Sequence, residues 1–483
     1  MKLLSYRMMI IGEFHMIHIK TNNYNQMKIY IFLTGLIFLV QSQAFVNAQN
    51  KQDFAALATH AEHSLEKGIA FMQTLAIEGG YVYHYTLDGQ EKWGEGKTDN
   101  RTVEVQPPGT PAVGMSFLRA YQITKNKDFL IAAENAANAL ILGQNELGGW
   151  DHKIYFDRPK GKSVSFDDNQ TQSVISFLMA LDQEMDSQPL TESVEKALSM
   201  MFESQLENGG WPHKYPWQGN YHDYATFNDQ GINDCIRVMI EADKFYGSEA
   251  ILKSLKKVGR FLMISQLPPP QPGWAQQYNE FLQPAWARTF EPPAVCPSAS
   301  VHNINSLIDL FHHTGSGQYL EPIPDALLWL KASRLPNGKW GRFLEIGTNK
   351  PLYYDRDRIR VESVEELSLE RSTGYGYETN IQGALDAVEL RYLQAMGQAP
   401  ETQKPELGIT IKELASNVQR IIKNQDELGR WIVHEDKFRK QVTGRRWDGE
   451  YRFEDRISSA IFNNNVKELC EFLEAYKKLL ASN

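Results

Sequence analysis

Apolar residues recur three and four positions apart over stretches such as Phe129 to Leu142 and Ser193 to Gln205, the spacing of one helix face. Between such stretches, a glycine followed by an aromatic returns again and again. It appears as Gly79-Gly80-Tyr81, Gly148-Gly149-Trp150, Gly209-Gly210-Trp211, Gly273-Trp274, Gly338-Lys339-Trp340 and Gly429-Arg430-Trp431. The aromatics lie 69, 61, 63, 66 and 91 residues apart, enough in each interval for two helices of ordinary length and their loops. A polar residue with a long side chain often precedes the glycine, as at Gln144, Gln205, Arg334 and Gln425. Glycine is expected to end each helix in a left-handed cap, with the aromatic packing back onto the next helix. Six helical hairpins in succession predict an all-α fold, an α/α toroid whose inner helices line a central depression. Functional loops are expected on one rim. The last interval is about 25 residues longer than the one before it. Its extra length holds Gly347 to Asp357, an insertion expected to be functional.

The start of the chain reads differently. Met27 and Lys28 precede an apolar run, Ile29 to Val40, and Val46-Asn47-Ala48 precede Gln49. A positive start, a short apolar core and small residues before a cut site are what a secretory signal requires. The run is short for a membrane span. The reading is a signal peptide over 1–48, with Met27 as an alternative start, followed by one toroidal catalytic domain over 49–483. The mature protein is expected to be secreted or periplasmic, to lack a membrane span and to be a monomer.

Removing 1–48 takes Lys2, Arg7, Lys20 and Lys28 against Glu13, so 50 basic and 59 acidic residues (net -9) become 46 and 58 (net -12). An acidic surface argues against nucleic acid as the partner. It also repels a polyanionic sugar, so a uronate binder needs clustered arginines or a divalent cation. Cys235, Cys296 and Cys470 are too few for a disulfide framework. They allow one bridge, Cys235 to Cys296, or three buried thiols.

Four stretches concentrate polar groups that a helical frame does not need. Ser165 to Gln172 contains Asp167-Asp168-Asn169, and Tyr224 to Asp229 ends in Thr226-Phe227-Asn228-Asp229. Each could be a capped helix start. One repeat apart, the two could instead supply oxygen ligands to a hard cation. Asn208 to Trp217 interleaves aromatics with polar groups, a pattern that suits the apolar faces of sugar rings. Pro284 to Pro293 carries Arg288, and Trp340 to Tyr377 carries Arg342, Lys350, Arg356 and Arg371. An arginine there could neutralise a neighbouring carboxylate or grip a carboxylate ligand through two parallel hydrogen bonds.

Taken in series, Asp168-Asn169-Gln170-Thr171-Gln172, Asn208 to Pro216, Thr226 to Asp229, Trp286 to Pro293 and Arg342 to Pro351 resemble the motifs of the family-10 pectate lyases. Order and approximate spacing agree from about Thr102 to Tyr377. The resemblance implies Ca2+-assisted β-elimination on polygalacturonate. It implies Arg288 as the base at C5, Arg342 and Arg356 on the uronate carboxylate with Lys350 assisting, and Trp211 and Tyr215 in the sugar-binding surface. Asp168, Asn169 and Asp229 would hold Ca2+, with Asn228 nearby. Burial and neighbouring cations would lower the proton affinity of Arg288, giving activity that rises above neutral pH. His213 and Gln230-Gly231 depart from the family pattern. Two other readings stand beside it. One is an α/α-barrel glycoside hydrolase on uronic-acid oligosaccharides, with Asp168 and Asp229 as its carboxylate pair. The other is a carbohydrate-binding homologue without catalysis.

Overall fold

The structure, a computed structural model, describes residues 53–398, 407–439 and 450–481. The expected signal peptide lies outside them. By contacts the chain divides into Met1–Thr59 and His60–Asn483. Of the first unit, only the beginning of the first helix is described.

Helices make the frame of the second unit. After α1, over 53–74, they are α2 (Thr110–Thr124), α3 (Lys127–Gly143), α4 (Gln170–Asp182), α5 (Gln188–Ser204), α6 (Gly231–Tyr246) and α7 (Glu249–Ser265). Then follow α8 (Pro297–Thr314), α9 (Ile323–Ala332), the short α10 (Leu369–Gly374), α11 (Gln382–Ala395), α12 (Leu407–Lys423) and α13 (Ser459–Ala481). Helices α13, α2, α4, α6, α8 and α11 pack in that order as an inner layer, with α13 meeting α2 to bring the end of the chain back to its beginning. Inner α4 is buried nearly all round, through Val174, Ile175, Phe177, Leu178, Met179 and Leu181. Outer α5 buries one stripe, Leu190, Val194, Ala197, Met200 and Met201. This is the pattern of an α/α toroid: a helix between two layers has no polar face, and one outside has one.

The recurring Gly-aromatic segments are clasps between hairpins. The indole Nε1 of Trp150, Trp211, Trp340 and Trp431 donates to the carbonyl ten residues earlier, of Leu140, Met201, Leu330 and Ile421, at 2.7–3.0 Å. Each Trp thus folds back onto the helix before it rather than onto the next one. The glycine does not cap that helix either. It sits five or six residues beyond, in the left-handed region (Gly148 φ 93°, Gly209 φ 102°), where a Cβ would meet the carbonyl of Lys196 or Lys257 at 2.5 or 2.3 Å. Only glycine permits that approach. The preceding glutamine completes the clasp. Gln144 Nε2 donates to the carbonyls of Gly148 and Ser193, and Gln205 Nε2 to those of Gly209 and Ser254. Gln425 does the same with Gly429 and Ser64.

Short strands occupy the rim between hairpins. They are β1 (His84–Thr86), β2 (Lys92–Trp93), β3 (Lys97–Thr98), β4 (Thr102–Glu104), β5 (Lys153–Tyr155), β6 (Val164–Ser165), β7 (Lys214–Tyr215), β8 (Ala225–Thr226) and β9 (Gln277–Tyr278). After them come β10 (Trp340–Gly341), β11 (Tyr353–Tyr354), β12 (Arg360–Val361), β13 (Glu378–Thr379), β14 (Ile432–Arg439) and β15 (Tyr451–Ser458). Strands β4–β5, β6–β7 and β8–β9 pair antiparallel, each linking one rim segment to the next. A five-stranded sheet ordered β14-β15-β1-β2-β3 joins the two ends of the ring. Pairs of two or three residues are too short to show a period of two in the sequence. The three cysteines are buried free thiols. Among the described residues, no helix is long and apolar enough to cross a membrane.

Candidate active site

Two tight turns, one repeat apart, carry the acidic residues. Val164–Ser165 and Ala225–Thr226 each lead into a single 3-10 turn, Asp167–Asn169 and Asn228–Gln230, before α4 and α6. In both turns two successive non-glycine residues sit in the left-handed region: Asp168 and Asn169 (φ 47° and 56°), Asp229 and Gln230 (φ 45° and 64°). Such conformations cost energy for these residue types and are kept where a site needs them. The turns face each other. Oxygens of Asp167, Asp168 and Asp229 all lie within 4.8 Å of one another.

Crowding shows in the titration of the cluster. Burial, then the charges of Asp167, Asp229 and Glu95, push Asp168 up to about 7 against the pull of Arg288. Burial and Asp167 raise Asp229 too, with Arg342 and Arg288 opposing. Asp167 Oδ1 and Asn228 Oδ1 are buried without a hydrogen-bond partner, while Asn228 Nδ2 donates to Asp229 Oδ2 at 2.5 Å. Three convergent carboxylates with an unsatisfied oxygen among them fit a hard divalent cation.

The arginine side of the site is built on two aromatic rings and two carboxylates. Arg288 offers its backbone N–H and Nε to Glu291 Oε2 (3.0 and 2.9 Å) and Nη2 to Oε1 (2.6 Å). Tyr375 donates to Glu291 Oε1 from the other side at 2.5 Å. Arg356 repeats the pattern through Nε and Nη2 on Glu370, which also accepts from Arg371. The guanidinium carbons of Arg288, Arg356 and Arg371 lie 5.1, 5.5 and 4.1 Å from the ring centre of Phe290. Arg342 lies 4.1 Å above the Tyr375 ring and donates to the Tyr375 carbonyl. Burial pulls the Arg288 proton affinity down, but the hydrogen bonds and charge of Glu291, with Tyr375 and Asp229, outweigh it and the net shift is upward. The expected lowering is therefore reversed, because the anion beside Arg288 is closer than any cation. Glu291, which burial alone would raise, is held at about 2 by Arg288 and Tyr375.

Asp168, Asp229, Arg288 and Arg342 thus come together, and Arg356 is near enough for its charge and that of Arg288 to oppose each other. Four of the residues singled out in the sequence stand elsewhere or do other work. Trp211 is wholly buried in its clasp, so its indole cannot form a sugar surface. The amide oxygen of Asn169 accepts from Arg237 Nη2 at 3.0 Å, away from the acidic trio. Lys350 is exposed on a turn where its charge acts on Glu345. That turn is held by Gln271, which bonds the Glu345 carbonyl, the Gly347 N–H and Asn349, so much of the Arg342–Pro351 motif is structural. Asn228 is buried, with its amide nitrogen on Asp229. Tyr215 is half-buried in β7, opposite Val164. Asp167 and Arg371 were named only as members of their stretches, and Glu291, Glu370 and Tyr375 were given no role. The acidic doublet at Asp167-Asp168 and the i,i+3 spacing of Arg288 and Glu291 are the signals that could have assigned Asp167 and Glu291.

The sequence of this region matches a family model. Residues 156–339 and 331–385 match the pectic acid lyase family, and they contain the acidic trio, all four arginines and both carboxylates. Over these residues, just under half of its length, the chain resembles the pectic acid lyases. It is accordingly a polysaccharide lyase. A family 10 polysaccharide lyase from Cellvibrio cellulosa, solved as a mutant with trigalacturonic acid, is similar at 21% identity over 59% of this chain and 98% of its own, TM-score 0.48. A D-mannose isomerase (13% identity, 86% of this chain and 97% of its own, TM-score 0.49) is also similar. So is a cellobiose 2-epimerase from Spirochaeta thermophila, at 13% identity over 88% and 98%, TM-score 0.46. Among curated proteins, none matches the chain. In the lyase domain, the acidic trio and the arginine lattice occupy rim segments that follow successive clasps, on either side of α6 and α8.

Proposed function

We propose that this polysaccharide lyase is exported and cleaves polygalacturonate by β-elimination, with Ca2+ held by Asp167, Asp168 and Asp229. The observation that carries this reading is the meeting of a three-carboxylate cluster with a guanidinium fixed along one edge. The complex of the Cellvibrio enzyme with trigalacturonic acid supports a uronate as substrate. The C5 hydrogen of a uronate is weakly acidic until its carboxylate is neutralised. Arg342 and Arg356 supply positive charge for that, and a bound cation would supply more, in a preorganised site. Nε and Nη2 of Arg288 are committed to Glu291, which leaves Nη1 for the substrate. In its neutral form Arg288 takes the C5 proton. The bonding pair forms the C4–C5 double bond, the C4–O4 bond breaks, and O4 takes a proton from solvent. Because Glu291 favours charged Arg288, the rate should climb with pH well above neutrality.

The test is ultraviolet absorbance of the conjugated uronate product from polygalacturonate. Product should accumulate with Ca2+ and stop with chelator. Reducing ends appearing without that absorbance would replace elimination by hydrolysis on Asp168 and Asp229. Binding with neither product would leave a carbohydrate-binding homologue.

The cation site has a readout independent of turnover. Asp168 is raised from 3.8 to about 7, so the folded chain binds that proton more tightly than the unfolded one. Its contribution to stability is complete below 3.8 and is lost as pH rises through about 7. Chelated protein should therefore lose Tm across that window, and Ca2+ added at pH 8 should restore it. A Tm indifferent to Ca2+ on the alkaline side would remove the trio as a cation site.

A further inference from the structure

Trp217 and Phe281 are 72% and 73% exposed, more than any other aromatic side chain among the described residues. Neither makes a ring contact or a side-chain hydrogen bond there. Their places in the repeat correspond: Trp217 is six residues after the buried Trp211, and Phe281 seven after the buried Trp274. Trp217 follows β7, whose partner β6 runs into Asp167 and Asp168. Phe281 follows β9, whose partner β8 runs into Asp229. Both aromatics thus stand on the rim that carries the acidic trio.

Both are also presented by built turns rather than loose loops. Buried Asp223 accepts from the backbone N–H of Gln218 (2.6 Å) and of Asn220 (2.9 Å), closing the turn just after Trp217. Asn279 Oδ1 accepts from the N–H of Phe281 and of Gln283, each at 3.0 Å, with Leu282 in the left-handed region. An aromatic carried on a bonded turn leaves little backbone freedom to be lost on binding, so its apolar face stands ready for a sugar ring. Tyr221, four residues beyond Trp217, feels the charges of Arg288 and Asp167, which keeps this turn close to the site.

We infer that Trp217 and Phe281 are outlying sugar platforms on which a polygalacturonate chain, continuing beyond the acidic trio and the arginines, lays the C–H faces of its pyranose rings. The inference rests on the reading of the site as a uronate lyase. A platform of this kind adds affinity for a long chain and little for a short one seated at the site, so it favours attack within the polymer.

The experiment compares kcat/KM on polygalacturonate and on trigalacturonate for the wild type, Trp217→Ala, Phe281→Ala and the double variant. The polymer-to-trimer ratio should fall roughly tenfold in the double variant. An unchanged ratio overturns the inference, as does equal loss on both substrates. Retardation in a polygalacturonate gel, which needs no turnover, should be strong for the wild type and lost in the double variant. If the wild type yields no unsaturated product, the lyase reading of the site fails. The gel still decides the platforms: equal retardation of wild type and double variant overturns them. Both side chains are exposed, so Tm should stay at the wild-type value.

Discussion

Arg288→Ala should end turnover of polygalacturonate, by at least about a thousandfold in kcat, and leave polymer binding nearly intact. General-base catalysis alone contributes about 10²–10⁴-fold, and the same side chain places positive charge beside the C5 centre. Arg342, Arg356 and Arg371 remain in the variant, so the uronate carboxylate keeps its partners. The lost side chain is partly exposed, which limits damage to the fold. Steady-state kinetics on polygalacturonate together with gel retardation separate the two effects. Normal cleavage by the variant would falsify the assignment of the base.

Glu291→Gln is expected to have the second-largest effect, about 10- to 100-fold in kcat, because a misplaced reacting group costs on that scale. Its signature is in the pH profile. Glu291 is the anion that raises the proton affinity of Arg288 against burial, while the charges of Arg356 and Arg288 oppose each other. Removing that charge should move the alkaline rise of kcat to lower pH. Tyr375→Phe removes a hydroxyl that donates to Oε1 and that itself raises the proton affinity of Arg288, but it leaves the carboxylate in place, so the rise should move less than in Glu291→Gln. The phenyl ring still lies under Arg342, so the packing is kept. A shift to lower pH in Glu291→Gln that Tyr375→Phe does not match is not produced by loosening the fold; no shift in Glu291→Gln would show that Glu291 does not tune Arg288.

The frame was legible in the sequence because its determinants are local. In the clasps of Trp150, Trp211 and Trp431, a glycine that must take φ near 90° and a Trp that folds back by ten residues recur at fixed offsets from a glutamine, and Arg334 stands in the glutamine's place before Trp340. The spacing therefore carried the hairpin count and the toroid. The direction of packing did not follow, since a glycine-aromatic pair reads the same whether it caps a helix or clasps a neighbour. The site was legible in part. Asp168 and Asp229 stand out as acidic residues one repeat apart, but the sequence does not say that Asn169 turns to Arg237 on α6 while Asp167 turns inward. Trp211 and Trp217 are both indoles among polar residues. Only burial separates the one locked in the clasp from the one held in solvent. Lys350 and Arg356 share the same insertion, and its clamped turn and the following β11–β12 hairpin send them to different carboxylates, Glu345 and Glu370.

On the receiving side, each glutamine clasp meets a serine of the adjoining outer helix. Gln144, Gln205 and Gln425 reach the carbonyls of Ser193, Ser254 and Ser64, and the hydroxyls of Ser193 and Ser64 donate back to the amide oxygens of Gln144 and Gln425. The joint is therefore keyed: a hairpin bearing the glutamine, the glycine and the indole docks on a helix that shows a serine at that place. Lineages built this way can reshape their reaction chemistry by altering what projects above the ring, while the masonry beneath goes untouched.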